Sequence, residues 1–262
     1  MTKTFKLKVP VSLDDIALKD YQKYVKVSEE TKDNEDQDFL TLKILSIFCG
    51  ITMKEAYELP ITKFDSIITH LAALLSTKSK LSTRFSMTDP KGDTIEFGFM
   101  PNLDKMTLGE YIDAEKYMSS WETMHQAMAV FYRPIISGNK DFYKIEKYEG
   151  SSKYSSIMKD APASVAIGAM LFFFFFRDRI VENYDGLFTA TSSDIEQGTY
   201  TQGFGKKWGW YQSIYSLAKG DVRKIDEITR INIHKAMMWL EFEKEKNEIE
   251  SRMIKQAYKR WA

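Results

Sequence analysis

The chain has 262 residues, of which 44% are hydrophobic and 28% charged, and 37 basic residues are balanced by 37 acidic ones. This composition is that of a globular protein with enough chain to bury a sizeable core, and it provides no basic excess that would attract nucleic acid. A neutral net charge leaves open whether the surface carries a local basic patch. The single cysteine, Cys49, excludes an internal disulfide, and its apolar surroundings favour a buried thiol over a nucleophile.

The first third of the chain predicts a half-buried edge strand followed by helices. Phe5, Leu7, Val9 and Val11 alternate with charged residues and Pro10, which is the period of a strand with one buried face. The expected elements are an edge strand from Phe5 to Val11, a helix from Ser12 to Tyr24, a solvated acidic loop at 28–38, a helix from Phe39 to Cys49 stopped by Gly50, a short helix opened by Thr52 with Glu55, and an apolar helix from Thr62 to Leu75.

The middle of the chain contains a predicted hairpin. Residues 84–88 and 94–99 alternate in hydrophobicity on either side of the turn sequence "DPKGD". We expect this hairpin and the N-terminal strand to form a small antiparallel sheet. After it, we expect a helix opened by Thr107 with Glu110, helical structure from Trp121 to Tyr132 that stops near Pro134, and a short strand within 142–148.

Five consecutive phenylalanines occupy positions 172–176 within an uncharged run from Val165 to Phe176. A membrane-spanning helix needs about 20 apolar residues, so this run is too short for an anchor. We predict a central apolar helix at 162–182, capped by Asp160, with Pro162 in its first turn. Because five successive residues cover every face of a helix, we expect it to be enclosed by the core, or shared between the core and a subunit interface.

The C-terminal part is predicted to be helical. Residues 186–205 are rich in Gly, Ser and Thr and are expected to form a long loop. The last helix, from about Asp226, carries a thin apolar stripe among mixed charges and is expected to project and bind along one seam. The predicted fold is therefore α+β and mostly helical, with a domain at 1–185, the loop at 186–205 and a C-terminal helical region at 206–262.

No catalytic, metal or cofactor signature is present in the sequence. The three histidines, His70, His125 and His234, lie in different predicted helices without the spacing of a zinc site. The segment "GFGKKWGW" at 203–210 contains glycines and lysines but lacks the pattern of a phosphate-binding loop, and no apolar strand precedes it. We therefore expect a protein that is not an enzyme and needs no cofactor, metal or small-molecule substrate.

Several segments resemble virion and tail-assembly proteins of crAss-like, short-tailed bacteriophages. The strongest local matches are "LDKMTLGEYID" at 103–113 and "WGWYQSIYSLAKGDVRKIDEI" at 208–228, and the resemblance covers roughly residues 39–246. It implies a structural or cargo protein of the portal–tail region. Implied partners are portal, tail or muzzle subunits or further copies of the chain itself, in the virion and, during assembly, in the host cytoplasm. The order of "LAKGD" and "LEFEKEKNE" is also similar to tail assembly chaperones, so a chaperone absent from the mature particle is the alternative.

Partner contact is the expected mode of action. The predicted partner-binding residues are Trp208, Trp210, Trp239, Phe242, Ile249 and Met253.

Overall fold

The computed structural model of the chain describes residues 7–31, 37–140, 142–188 and 209–261. It confirms the predicted fold class: a mostly helical α+β fold with a four-stranded antiparallel sheet and a long C-terminal helix. The elements are α1 (Leu18–Glu30), α2 (Gln37–Cys49), α3 (Met53–Tyr57), α4 (Ile61–Leu75), β1 (Arg84–Thr88), β2 (Thr94–Phe99), α5 (Leu108–Met118), α6 (Met124–Phe131), β3 (Tyr132–Gly138), β4 (Tyr143–Ile145), α7 (Ser152–Met158), α8 (Ala163–Asn183), α9 (Asp185–Phe188), α10 (Trp210–Leu217), α11 (Ile225–Thr229) and α12 (Ile233–Trp261).

The chain divides into two compact units. Unit 1 comprises residues 1–101 and 114–173, and unit 2 comprises residues 102–113 and 174–262. These boundaries do not coincide with the predicted regions, because the segment 102–113 and the second half of α8 cluster with the C-terminal helices. Of the predicted loop at 186–205, residues 186–188 belong to α9 and the others lie outside the described residues.

The sheet of unit 1 has the strand order β1-β2-β3-β4. The predicted hairpin is confirmed, with Phe85 opposite Phe97 in an antiparallel register. The predicted N-terminal strand is wrong, since residues 7–11 form no strand. Leu7 and Val9 instead pack their side chains against the cluster around Leu45 without a backbone ladder, so their alternation reports burial on one side and not strand pairing.

The third strand was not predicted, and its first residue, Tyr132, lies in the segment predicted to be helical. Helix α6 ends at Phe131, one residue before the predicted end, and β3 begins at Tyr132 and carries Pro134 opposite Phe97. Tyr132 is fully buried, and its hydroxyl donates to the Ser82 carbonyl at 2.6 Å. Tertiary contacts of this kind override the local helical signal. The predicted short strand within 142–148 is confirmed as β4.

The pentaphenylalanine lies in α8, as predicted, but two details of that prediction are wrong. Asp160 does not cap the helix, because α8 begins only after Pro162 and the Asp160 carboxylate instead accepts from Lys19. Of the two predicted environments, complete enclosure by the core is wrong, because Phe173 is completely buried whereas Phe175 is 76% exposed; sharing with a subunit interface stays a prediction. None of the helices in the described ranges has the length and hydropathy needed to cross a membrane.

Both units contain the same short motif, which was not apparent from the sequence alone. "SLDDIALKDY" at 12–21 and "NLDKMTLGEY" at 102–111 share Leu, Asp, Leu and Tyr at equal spacing. In each copy a one-turn 3-10 helix is followed by a bridging residue and then by a helix, α1 or α5. The corresponding residues are buried to the same degree in both copies: Leu13 and Leu103, Ile16 and Met106, Leu18 and Leu108.

Each motif pairs with a second helix start through two backbone hydrogen bonds. In unit 1, Ala17 bridges Pro162, with Leu18 N donating to Ala161 O at 2.8 Å and Ala163 N donating to Ile16 O at 2.8 Å. In unit 2, Thr107 bridges Asn232, and the equivalent bonds measure 2.8 and 2.9 Å. The start of α8 in unit 1 therefore corresponds to the start of α12 in unit 2, and we interpret the two motifs as an internal repeat.

The last helix begins later than predicted. The segment expected to open it at about Asp226 forms the separate helix α11, and α12 starts at Ile233. The break has a local cause, because Asn232 forms the bridge to Thr107 and its side-chain oxygen accepts from His234 N at 3.1 Å. The helix α11 thus ends at Thr229, and Asn232 caps the start of α12.

Candidate interaction surface

The first turns of α12 are firmly held within unit 2. Ile233, Ala236 and Met237 are buried on the inner face of the helix. His234 Nε2 lies 3.1 Å from an Asp104 carboxylate oxygen, and its Nδ1 lies 3.1 Å from the Tyr184 hydroxyl. Burial raises the pKa of Tyr184, so its hydroxyl stays protonated and available for this contact. The base of α12 is therefore oriented by both apolar and polar contacts.

The same corner of the repeat is built differently in unit 1. Asp14 corresponds to Asp104, and Ser164 corresponds to His234; the Ser164 hydroxyl donates to the Asp14 carboxylate. In both units an aspartate from the 3-10 turn thus holds the second residue of the following long helix. This shared contact supports a structural role for Asp104 and His234.

The contacts of α12 with the rest of unit 2 become fewer after its third turn. The Ser216 hydroxyl donates to Glu243, and Lys244 Nζ donates to the Gly186 carbonyl at 2.7 Å. From residue 245 to residue 261 no side chain is buried. Since the helix extends about 1.5 Å per residue, this second half adds about 25 Å beyond the anchored part.

Four of the predicted partner-binding residues lie together on the outer face of α12. We call Trp239, Phe242, Ile249 and Met253 the outer stripe. Their spacing of three, seven and four residues places them on one side of a helix, away from the buried inner face. Ile249 and Met253 are 56% and 64% exposed, and the Trp239 and Phe242 rings contact each other with centroids 5.7 Å apart.

The other two predicted residues are not part of this stripe. Trp210 is half-buried at the start of α10, where its ring meets Tyr111 edge-on with centroids 5.7 Å apart. This position favours a packing role inside unit 2. Trp208 lies outside the described residues.

Sequence reasoning missed three exposed apolar residues near the end of α12. Ile254, Tyr258 and Trp261 follow one another at intervals of four and three residues, and Trp261 is 92% exposed. Their spacing is that of a helix face. The interval was a usable signal, but at about 100° per residue these residues lie on the side of the helix that carries Ile233 and Ala236, not on the outer stripe.

Charge is distributed unevenly along α12 from residue 241 to its end. Residues 241–250 contain five glutamates and two lysines, whereas residues 251–261 contain four basic residues and no acidic one. Two ion pairs lie on the helix itself, Lys246–Glu250 at 3.7 Å and Arg252–Glu248 at 3.4 Å. Both are solvent-exposed pairs of the kind that stabilise a helix only slightly.

The titratable side chains of the described residues are dispersed. His70 Nε2 lies 2.9 Å from the Pro10 carbonyl, and His125 Nδ1 lies 3.2 Å from the Gln22 amide nitrogen. Cys49 is buried, and burial raises the pKa of its thiol. Across the described ranges, no group of three or more His, Cys, Asp or Glu side chains is arranged to hold a metal ion.

Comparison with known proteins found no relative of this chain. The chain matches no protein-family model, no curated protein and no solved structure at a significant level. The outer stripe and the charge pattern of α12 are therefore the structural features that bear on function.

Proposed function

We propose that this chain is a non-enzymatic bacteriophage virion protein of the portal–tail region, structural or cargo, that acts through protein–protein contacts. One observation carries the proposal: α12 presents an apolar stripe along a segment with no buried residue beyond position 244. A row of exposed apolar side chains on an ordered helix is typical of a binding site for another protein.

The phage assignment rests on the sequence resemblance. Its two strongest segments, 103–113 and 208–228, both belong to unit 2, from which α12 extends. Portal, tail or muzzle subunits and further copies of the chain are the proposed partners. No small-molecule substrate, cofactor, membrane anchor or nucleic acid enters the proposal.

Quantitative mass spectrometry of purified particles tests this function. A virion protein should be present at a constant copy number per particle, and a chain lacking residues 247–262 should be lost from particles while it remains folded in the cell. Presence of the chain in infected cells but absence from mature particles would support the alternative, a tail assembly chaperone. Normal incorporation of the truncated chain would contradict a role for α12.

A further inference from the structure

The charge pattern of α12 specifies what kind of partner the outer stripe fits. The glutamate-rich segment, 241–250, is followed directly by the basic segment, 251–261, so one half of the exposed helix is acidic and the other basic. A partner helix that matches both halves must present a basic segment first and an acidic one second. The same helix running in the opposite direction has this order.

We propose that α12 pairs in an antiparallel manner with α12 of a second copy of this chain. This inference rests on the proposed function, because it names the partner of the same outer stripe. With the midpoint near Glu250 and Ser251, the acidic segment of each copy faces the basic segment of the other. A parallel pair would place like charges side by side over the whole length of the contact, which opposes association.

The apolar side chains fit the same arrangement. Ile249 and Met253 flank the midpoint, so Ile249 of one copy meets Met253 of the second copy, and the reverse contact forms by symmetry. Phe242 lies level with Lys259 and Arg260 of the second copy, so a basic pair of residues follows the apolar centre of the contact.

The anchored base of α12 leaves this face free. Ile233, Ala236 and Met237 are directed into unit 2, whereas the outer stripe lies on the opposite side of the helix. Lys246–Glu250 and Arg252–Glu248 each join one acidic and one basic residue. The first pair lies within the acidic segment, and the second joins the two segments and lowers the excess charge of each by one, so acid still exceeds base in the first segment and base exceeds acid in the second.

Charge reversal tests the pairing by sedimentation equilibrium of the full chain. One variant makes the helix acidic throughout (Arg252→Glu, Lys255→Glu, Lys259→Glu), and the other makes it basic in its first half (Glu245→Lys, Glu248→Lys, Glu250→Lys). We expect the wild-type chain to dimerise, each variant alone to associate at least about tenfold more weakly, and an equimolar mixture to regain dimers. Circular dichroism checks that both variants keep their helices.

Spin labels test the orientation. In a Cys49→Ser background, labels at Ser251→Cys lie near the midpoint, whereas labels at Lys259→Cys lie about 25 Å apart along the helix axis if the pair is antiparallel. A clearly longer distance at 259 than at 251 is expected. Equal distances at the two positions indicate a parallel pair and overturn the proposal.

A monomeric wild-type chain at every concentration reached also overturns the proposal. That failure is distinct from failure of the proposed function: a monomer that loses particle incorporation on truncation still uses α12 to bind another virion protein. Conversely, dimers that form normally while the truncated chain enters particles support the pairing and contradict the proposed function.

Discussion

Two phenylalanines of α8 that lie two positions apart have opposite environments. Phe173 is fully buried and packs against Phe131 with ring centroids 5.2 Å apart, whereas Phe175 is 76% exposed. We expect Phe173→Ala to lower the free energy of unfolding by about 3–5 kcal/mol, because it leaves a cavity. Phe175→Ala is the matched control, with an expected change of about 0.5 kcal/mol or less. Urea unfolding measures both, and equal losses would contradict the described orientation of the helix.

We expect His125 to make the stability of unit 1 depend on pH. Burial, assisted by the charge of Lys159, lowers the pKa of His125 below its ordinary value of 6.5. The unfolded chain therefore takes up a proton at a higher pH than the folded chain, and this contribution to stability is full above pH 6.5 and lost as pH falls below it. We expect His125→Gln to lose less stability between pH 7.5 and pH 5.5 than the wild type.

His70→Gln provides the control for that measurement. His70 lies on α4 with its Nε2 at the Pro10 carbonyl. The control shows how far the replacement of another histidine of unit 1 by glutamine changes the loss of stability between the two pH values. If denaturant unfolding at the two pH values gives the same loss for the wild type and His125→Gln, the assignment to His125 is wrong.

At the scale of single residues, helix caps and helix ends were predictable, because the residues that form them are close in sequence. The capping boxes Thr52–Glu55 and Thr107–Glu110 are confirmed, and Gly50 ends α2 with a φ of 68°. Exposure within the pentaphenylalanine was not predictable, because five adjacent residues of one type have no periodicity. Only the neighbouring elements decide which ring is buried.

The internal repeat predicts matched effects in two elements. Leu18 and Leu108 occupy the same position of the motif, at the starts of α1 and α5, and neither is accessible to solvent. We expect Leu18→Ala and Leu108→Ala each to destabilise its own unit by about 3–5 kcal/mol. Hydrogen exchange resolved by residue tests this, since faster exchange should appear in unit 1 for the first variant and in unit 2 for the second. The reverse assignment would contradict the division of the chain.

The end of α12 should be dispensable for folding. Deleting residues 247–262 removes no buried side chain from the described part of the segment, so the melting temperature should shift by no more than about 2 °C. Thermal unfolding followed by circular dichroism measures this shift. A large loss of stability would mean that this segment contributes to the core of the isolated chain.

Elements were predictable from the sequence when their hydrophobic pattern was regular over many residues. Helix α4 and the β1–β2 hairpin follow such patterns, whereas α2 and α8 were recognisable as long apolar runs. The N-terminal strand and the helical reading of Tyr132 failed because strand pairing depends on distant segments. The repeat was not predictable from the sequence, because its two copies share only a few spaced residues. The equivalent bridges of Ala17 with Pro162 and of Thr107 with Asn232 identify it in the structure.

For the whole molecule, composition predicted a globular chain and the predicted elements an α+β fold; the apolar stripe predicted that the last helix projects, and burial shows where the exposed part begins. A thin apolar stripe on a charged helix fits either a core-facing seam or a partner-facing one. The absence of buried side chains between 245 and 261 favours the second. Function at this scale therefore depends on whether the outer stripe binds a protein.

Particle incorporation of two matched double variants tests that claim most directly. Ile249→Glu with Met253→Glu places two charges on the outer stripe, whereas Asn247→Glu with Ser251→Glu places two charges at the same spacing on the other side of the helix. The measurement is the copy number of each variant per purified particle, relative to wild type. We predict at least about a tenfold loss for the stripe variant, the effect of roughly 1.4 kcal/mol of binding free energy, and near-normal incorporation for the control. Equal incorporation of both variants would contradict the account.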